Sequence, residues 1–165
     1  MNYVALQADI TDRMTTLLDN PYLREAVMTA TPEQLQLMLY DGAIRFASQA
    51  RDAIVTKNYE TSCDRLVRAQ NIVLEMQTGL RHDVNPELCG RVASVYAFLY
   101  RKLVDANLNR DVQAIDDAMR ILRIERETWH LLIERVNQAR SQDFPDASDT
   151  STKYHEHATT LSIES

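Results

Sequence analysis

A glutamate and a histidine three residues apart on a helix form the ligand unit of di-iron bundle proteins, and Glu127-Thr128-Trp129-His130 has that spacing. Such a centre needs two of these units and two further inward glutamates, and this chain offers a single unit. Trp129 also falls on the apolar stripe of the same segment, so Glu127 and His130 read as chance spacing on a charged helix. His155 and His157 stand in a Ser/Thr-rich segment with no fixed third ligand. Cys63 and Cys89 lack CxxC spacing and are expected to be buried thiols in a reducing compartment. There is no GxSxG, no phosphate-cradling glycine loop and no recognisable Cys–His pair. The residues therefore argue against an enzyme, a metal and a cofactor.

The elements that would carry these residues are helices. The chain has 165 residues with only three Gly and four Pro, and no run of alternating apolar and polar residues. That length predicts one domain with a core that needs neither disulfides nor metals. A net charge of −6 disfavours a nucleic-acid backbone or an acidic membrane surface as partner. The N-terminus has no basic, apolar signal pattern, and no apolar run reaches the ~18 residues of a membrane span. A soluble, cytoplasmic protein is expected.

The segment Thr11 to Asp19 could form a short helix, which Asn20-Pro21 then interrupts. Tyr22 to Met28 reads as a strap packed on the bundle. Thr31, Pro32 and Gln34 then spell a helix start: an N-cap, a first-turn proline and a capping-box partner. The first main helix is predicted from about Pro32 to Thr56, and Lys57-Asn58 punctuates it. A second runs from about Tyr59 to Arg81 with a stripe of Tyr59, Cys63, Leu66, Val73 and Leu80. Gln70 and Gln77 lie on that line and require partners if buried. Asn85 and Pro86 start a third helix, carrying Leu88, Val92, Val95, Tyr96, Leu99 and Leu103 to about Asn107. Asp111 caps the last, whose stripe is Ile115, Met119, Leu122, Trp129, Leu132 and Val136, ending near Ala139. Short connections make this an all-α, antiparallel up-and-down four-helix bundle with an N-terminal strap or short extra helix. From Arg140 the chain carries five acidic and two basic residues, a balance of −3, and is predicted to be a disordered acidic tail.

The first main helix has more apolar surface than one stripe requires. At about 100° per residue, Leu35, Leu39, Gly42, Ala43, Phe46, Ala50 and Ala53 share one face, while Leu37, Tyr40 and Ile44 fall on another. Either the helix is central and buried on two sides by its own chain, or the second set lines a groove for a partner segment. Tyr59, Tyr96 and Tyr100 read as core or core-edge residues.

Tyr22, Val27 and the run Thr29-Ala30-Thr31-Pro32-Glu33-Gln34-Leu35 resemble the opening of the FliS family of flagellar secretion chaperones. The run Leu37-Met38-Leu39-Tyr40-Asp41-Gly42-Ala43-Ile44-Arg45-Phe46 continues the resemblance. Ala69 to Met76 is similar to the family's second helix, Tyr100 to Asn107 to the end of its third, and Trp129 to a tryptophan of its last. The resemblance spans about Asn20 to Ala139. The long segments on either side lie outside it, and their roles stay open.

The resemblance implies an antiparallel bundle that binds the C-terminal segment of flagellin in the cytosol. Such a chaperone prevents premature polymerisation and delivers the client to the flagellar secretion apparatus. It implies no cofactor, no nucleic acid, no membrane insertion and a one-to-one complex with a monomeric chaperone that could also meet the export gate. The division expected is a leader and strap over 1–31, a chaperone bundle over 32–139 and a tail over 140–165. The candidate partner-contacting residues are Tyr22, Val27, Leu37, Tyr40, Ile44, Ile72, Tyr96 and Tyr100. In this reading the strap shields the groove until the client displaces it. The other readings are a regulatory bundle that docks a different helix and a metalloenzyme built on Glu127 and His130.

Overall fold

The computed structural model describes the backbone of residues 21–143 and the side chains of residues 25–139. The expected helix at Thr11 to Asp19, the side chain of Tyr22 and the tail beyond residue 143 lie outside the described residues. Five helices and no strand are found among those described: α1 (Pro21–Thr29), α2 (Pro32–Val55), α3 (Tyr59–Thr78), α4 (Pro86–Asn109) and α5 (Val112–Asp143). None of them is long and apolar enough to cross a membrane. The expected strap is therefore a short helix, with Pro21 in its first position, where a missing N–H costs least.

Each main helix starts where its capping residue stands. The Thr31 side chain accepts from Gln34 N at 3.3 Å while Gln34 Oε1 accepts from Thr31 N at 2.9 Å. Asn58 and Asn85 accept from Thr61 N and Leu88 N, and Asp111 Oδ1 accepts from Gln113 N and Ala114 N. The end of α2 is a 6→1, 5→2 cap: Asn58 N donates to Ala53 O and Lys57 N to Ile54 O. Lys57 therefore stands at φ 60°, and Arg110 after α4 at φ 55°, in the left-handed region that favours glycine.

The chain divides into two units, Met1–Leu131 and Leu132–Ser165. In the first, α2 against α3 and α3 against α4 are the closest helix pairs. Gly42 stands where α2 and α3 pack closely: a Cβ there would lie 3.2 Å from Ile72 Cδ1, a tight contact with the end of that side chain. Gln70, a polar residue in an apolar stripe, is buried and donates to the Leu103 carbonyl across the α3–α4 contact at 3.1 Å. Leu66, Leu99, Leu103, Ile115 and Leu122 are the largest fully buried side chains, each contributing roughly 1.5–3 kcal/mol of transfer free energy.

Four expectations are corrected. The stripe of α3 is Ser62, Leu66, Ala69, Gln70, Ile72, Val73 and Met76. Cys63 lies outside it although its neighbour Ser62 is buried, so at that turn the buried line is rotated by one residue from the predicted one, and Tyr59 falls outside it as well. The cysteines are accordingly not buried: Cys63 is exposed, and Cys89 is half-buried with its thiol donating to the Arg81 carbonyl at 3.3 Å. Leu88 of α4 is exposed as well. In the second unit α5 is the one described element, so Leu132 and Val136 have no partner helix within it and are exposed.

Candidate functional site

The second apolar face of α2 is turned toward α5. Arg51 Nε meets Asp116 Oδ1 at 2.7 Å, and Arg126 forks onto both carboxylate oxygens of Asp41 at 2.6 and 3.3 Å. Ten residues forward on α5 correspond to ten residues back on α2, which fixes an antiparallel register. One further turn along, Trp129 Nε1 donates to the Glu33 carbonyl at 3.1 Å. Glu33, Leu37 and Asp41 lie on successive turns of one line, so Leu37 sits between two ties to α5. Beside it Tyr40 is 2% exposed, while Ile44 is half-buried against the core. In this structure the chain's own last helix covers that face.

Behind Tyr40 lies a polar knot inside the bundle. Its hydroxyl stands 2.7 Å from that of Tyr96, and Gln36 Nε2 donates to the Tyr96 hydroxyl at 3.2 Å. The rings lie 6.5 Å apart and tilted by 56°. Burial pushes both phenols above their ordinary range, and the carboxylate charge of Glu125 pushes in the same direction. Glu125 is itself raised by desolvation. Phenols held this firmly neutral are neither nucleophiles nor general bases near neutral pH. They satisfy one another's hydrogen bonds and fix where α2 meets α4.

The other predicted residues are divided between core and edge. Ile72 and Tyr96 are buried, whereas Tyr100 is half-buried on α4. Val27 is 1% exposed and is the one buried side chain described on α1, where Met28 is 67% exposed. Among the described residues the hydrogen bonds recorded for the α1 side chains are internal, from Thr29 Oγ1 to the carbonyls of Glu25 and Ala26. Among the described side chains of this helix, Val27 is the one apolar anchor.

Sequence reasoning missed the flank of α3. Val67 and Leu74 are seven residues apart, share one line of that helix, and are 41% and 46% exposed. They lie to the side of Gln70 that looks toward α4, where Ala93, Ala97, Tyr100 and Val104 are half-buried. Together these residues make an apolar strip along α3 and α4 that is partly open to solvent. The signal was a second apolar line beside the main stripe, the same signal that singled out α2.

Glu127 is exposed and His130 half-buried, and no group of three or more His, Cys, Asp or Glu that could hold a metal occurs among the described residues.

These features define a class: an all-helical bundle with a core of apolar side chains, one short helix pinned to it and an apolar strip left open on one flank. The family described as Flagellar protein FliS matches residues 14–136. The flagellar secretion chaperone FliS of Bacillus subtilis is 32% identical over 126 residues, covering 74% of this chain and 93% of that protein. The one from Salmonella typhimurium is 32% identical over 108 residues, covering 65% and 80%. The crystal structure of a flagellar chaperone from bacteria shares the fold, with a TM-score of 0.61 at 16% identity, over 77% of this chain and 98% of the other. This chain belongs to the FliS family, a family of flagellar secretion chaperones and not of enzymes.

Proposed function

We propose that this protein is a cytosolic export chaperone for a flagellin. It binds the client's C-terminal segment one to one, keeps it from polymerising and hands it to the flagellar secretion apparatus. The observation that carries this reading is the family match over residues 14–136, joined to an open apolar strip in the same bundle. The strip of Val67, Leu74 and Tyr100 is the first contact, since a partner can lie on it without moving any described helix. Val27, with Tyr22 as expected second anchor, is the contact that the client replaces.

The energetics suit exchange. Releasing Val27 exposes one side chain, at roughly 1.5–3 kcal/mol. A client segment that covers several large apolar residues recovers more than that, offset by about 1–2 kcal/mol for each residue it orders. Tyr40, Ile72 and Tyr96 are buried in the free chain and take part only if the helices packed on them shift.

The test is co-purification with a flagellin, full length against a C-terminally truncated form. Retention of the full-length client and loss of the truncated one supports the reading. Equal retention of both overturns the assignment of the C-terminal segment.

A further inference from the structure

Phe46 is buried, and three guanidinium groups surround its ring. Arg45 of α2 places its Cζ 4.9 Å from the ring centroid, and Arg65 and Arg68 of α3 place theirs at 5.8 and 5.7 Å. Planar, weakly hydrated guanidiniums stack well on an aromatic face, so the ring explains how like charges are gathered there. Asp64 is the carboxylate that meets them, 3.3 Å from Arg68 and 3.7 Å from Arg65. Asp64 is thus shared between Arg65 and Arg68, and with Arg45 the ring gathers three forked guanidiniums on two different helices around one carboxylate. Arg45 is exposed.

We infer that Arg45 and Arg65 recognise a carboxylate side chain of the flagellin segment and so fix its register along the bundle. This rests on the client reading above. The rest of the molecule supplies the complementarity argument. A chain of net charge −6 repels an extended polyanion, but a basic spot on it attracts a single acidic side chain within an otherwise apolar segment. Apolar strips give affinity without register, because a helix or extended chain can slide along them. A forked hydrogen-bonded ion pair gives one position. The spot lies on the α2–α3 seam and the apolar strip on α3 and α4, so a segment crossing α3 reaches both.

The experiment measures binding of a synthetic flagellin C-terminal peptide, and of the same peptide with every Asp and Glu changed to Asn and Gln, to the full chain and to Arg45→Gln/Arg65→Gln. The wild-type chain is expected to bind the acidic peptide roughly tenfold more tightly than the neutralised one at low salt. That difference should disappear in the double variant and shrink toward 1 M salt, where the screening length is about 3 Å. Equal binding of both peptides by the wild-type chain overturns the inference and leaves the client reading intact. Failure of the wild-type chain to bind either peptide overturns both. If the double variant melts early, Arg45→Gln alone, at an exposed position, decides: no change in its preference for the acidic peptide overturns the inference.

Discussion

The hydroxyls of Tyr40 and Tyr96 show how single residues set the properties of this bundle. Each satisfies the other in the core, so removing one leaves a buried hydroxyl without its partner. Tyr96→Phe is expected to cost about 1–3 kcal/mol, and Tyr40→Phe/Tyr96→Phe less than the sum of the single changes, read by chemical denaturation. Both phenols are held neutral more firmly in the folded chain than in the unfolded one. Their contribution is thus complete below the unfolded value of about 10 and lost as pH climbs above it. The same sign applies to Glu125, whose folded carboxyl is raised by burial. Its ionisation costs stability as pH rises from the unfolded value of about 4.3 through the folded one. Glu125→Gln should raise the Tm at pH 7 and match the wild type below about pH 4. A variant that melts lower at pH 7 would show that the carboxylate has a stabilising partner.

At the scale of elements, the helix ends were legible and the pairings were not. Thr31-Pro32-Gln34, Asn85-Pro86 and Asp111 announce their helices because capping is a local interaction, complete within four residues. Gln70 announced that it needed a partner, but the Leu103 carbonyl that supplies it lies 33 residues away. The cover over Leu37, Tyr40 and Ile44 was equally hidden, since Arg126 and Trp129 look like surface and core residues until α5 is laid against α2. The stripe of α3 was misplaced around the helix because Tyr59 and Cys63 keep helical spacing with Leu66, while the side chain that packs at that turn is the small, polar Ser62. Two predictions belong here. Lys57→Gly relieves a left-handed residue within an intact cap and should stabilise by roughly 0.5–1 kcal/mol, measured as a rise in Tm. Val27→Ala should loosen α1 far more than the core, speeding hydrogen exchange in residues 25–30 while α3 and α4 stay protected. Uniform loss of protection would mean that α1 is an integral part of the bundle.

At the scale of the molecule, the described helices are joined to one another unequally. Ion pairs of Arg51, Arg126 and Lys102 join α5 to α2 and α4, at the level of Asp116 and Asp117 and again at Arg126, whereas the described part of α1 adds one buried side chain. Under the proposed function, the framework so joined keeps its shape while the client binds. Leu74→Asp, at an exposed position on the strip, should therefore leave the Tm within about 2 °C of wild type, since surface changes stay near ±0.5 kcal/mol. The same change should reduce client affinity by tenfold or more, the loss of one buried apolar contact. A collapse of the Tm would place Leu74 in the core, and unchanged affinity would remove the strip from the interface.

Two of the ties between helices end on main-chain oxygens: Gln70 on the carbonyl of Leu103 and Trp129 on that of Glu33. Any amino acid other than proline presents that oxygen in the same place within a helix. Positions 33 and 103 can thus drift among residues of suitable size without releasing the tie, whereas positions 70 and 129 must keep a donor of fixed reach. Mutational tolerance is then lopsided across a single contact. A scan of all substitutions at the four positions should find the donors rigid, position 33 permissive, and position 103 limited only by the volume of the space that Leu103 fills.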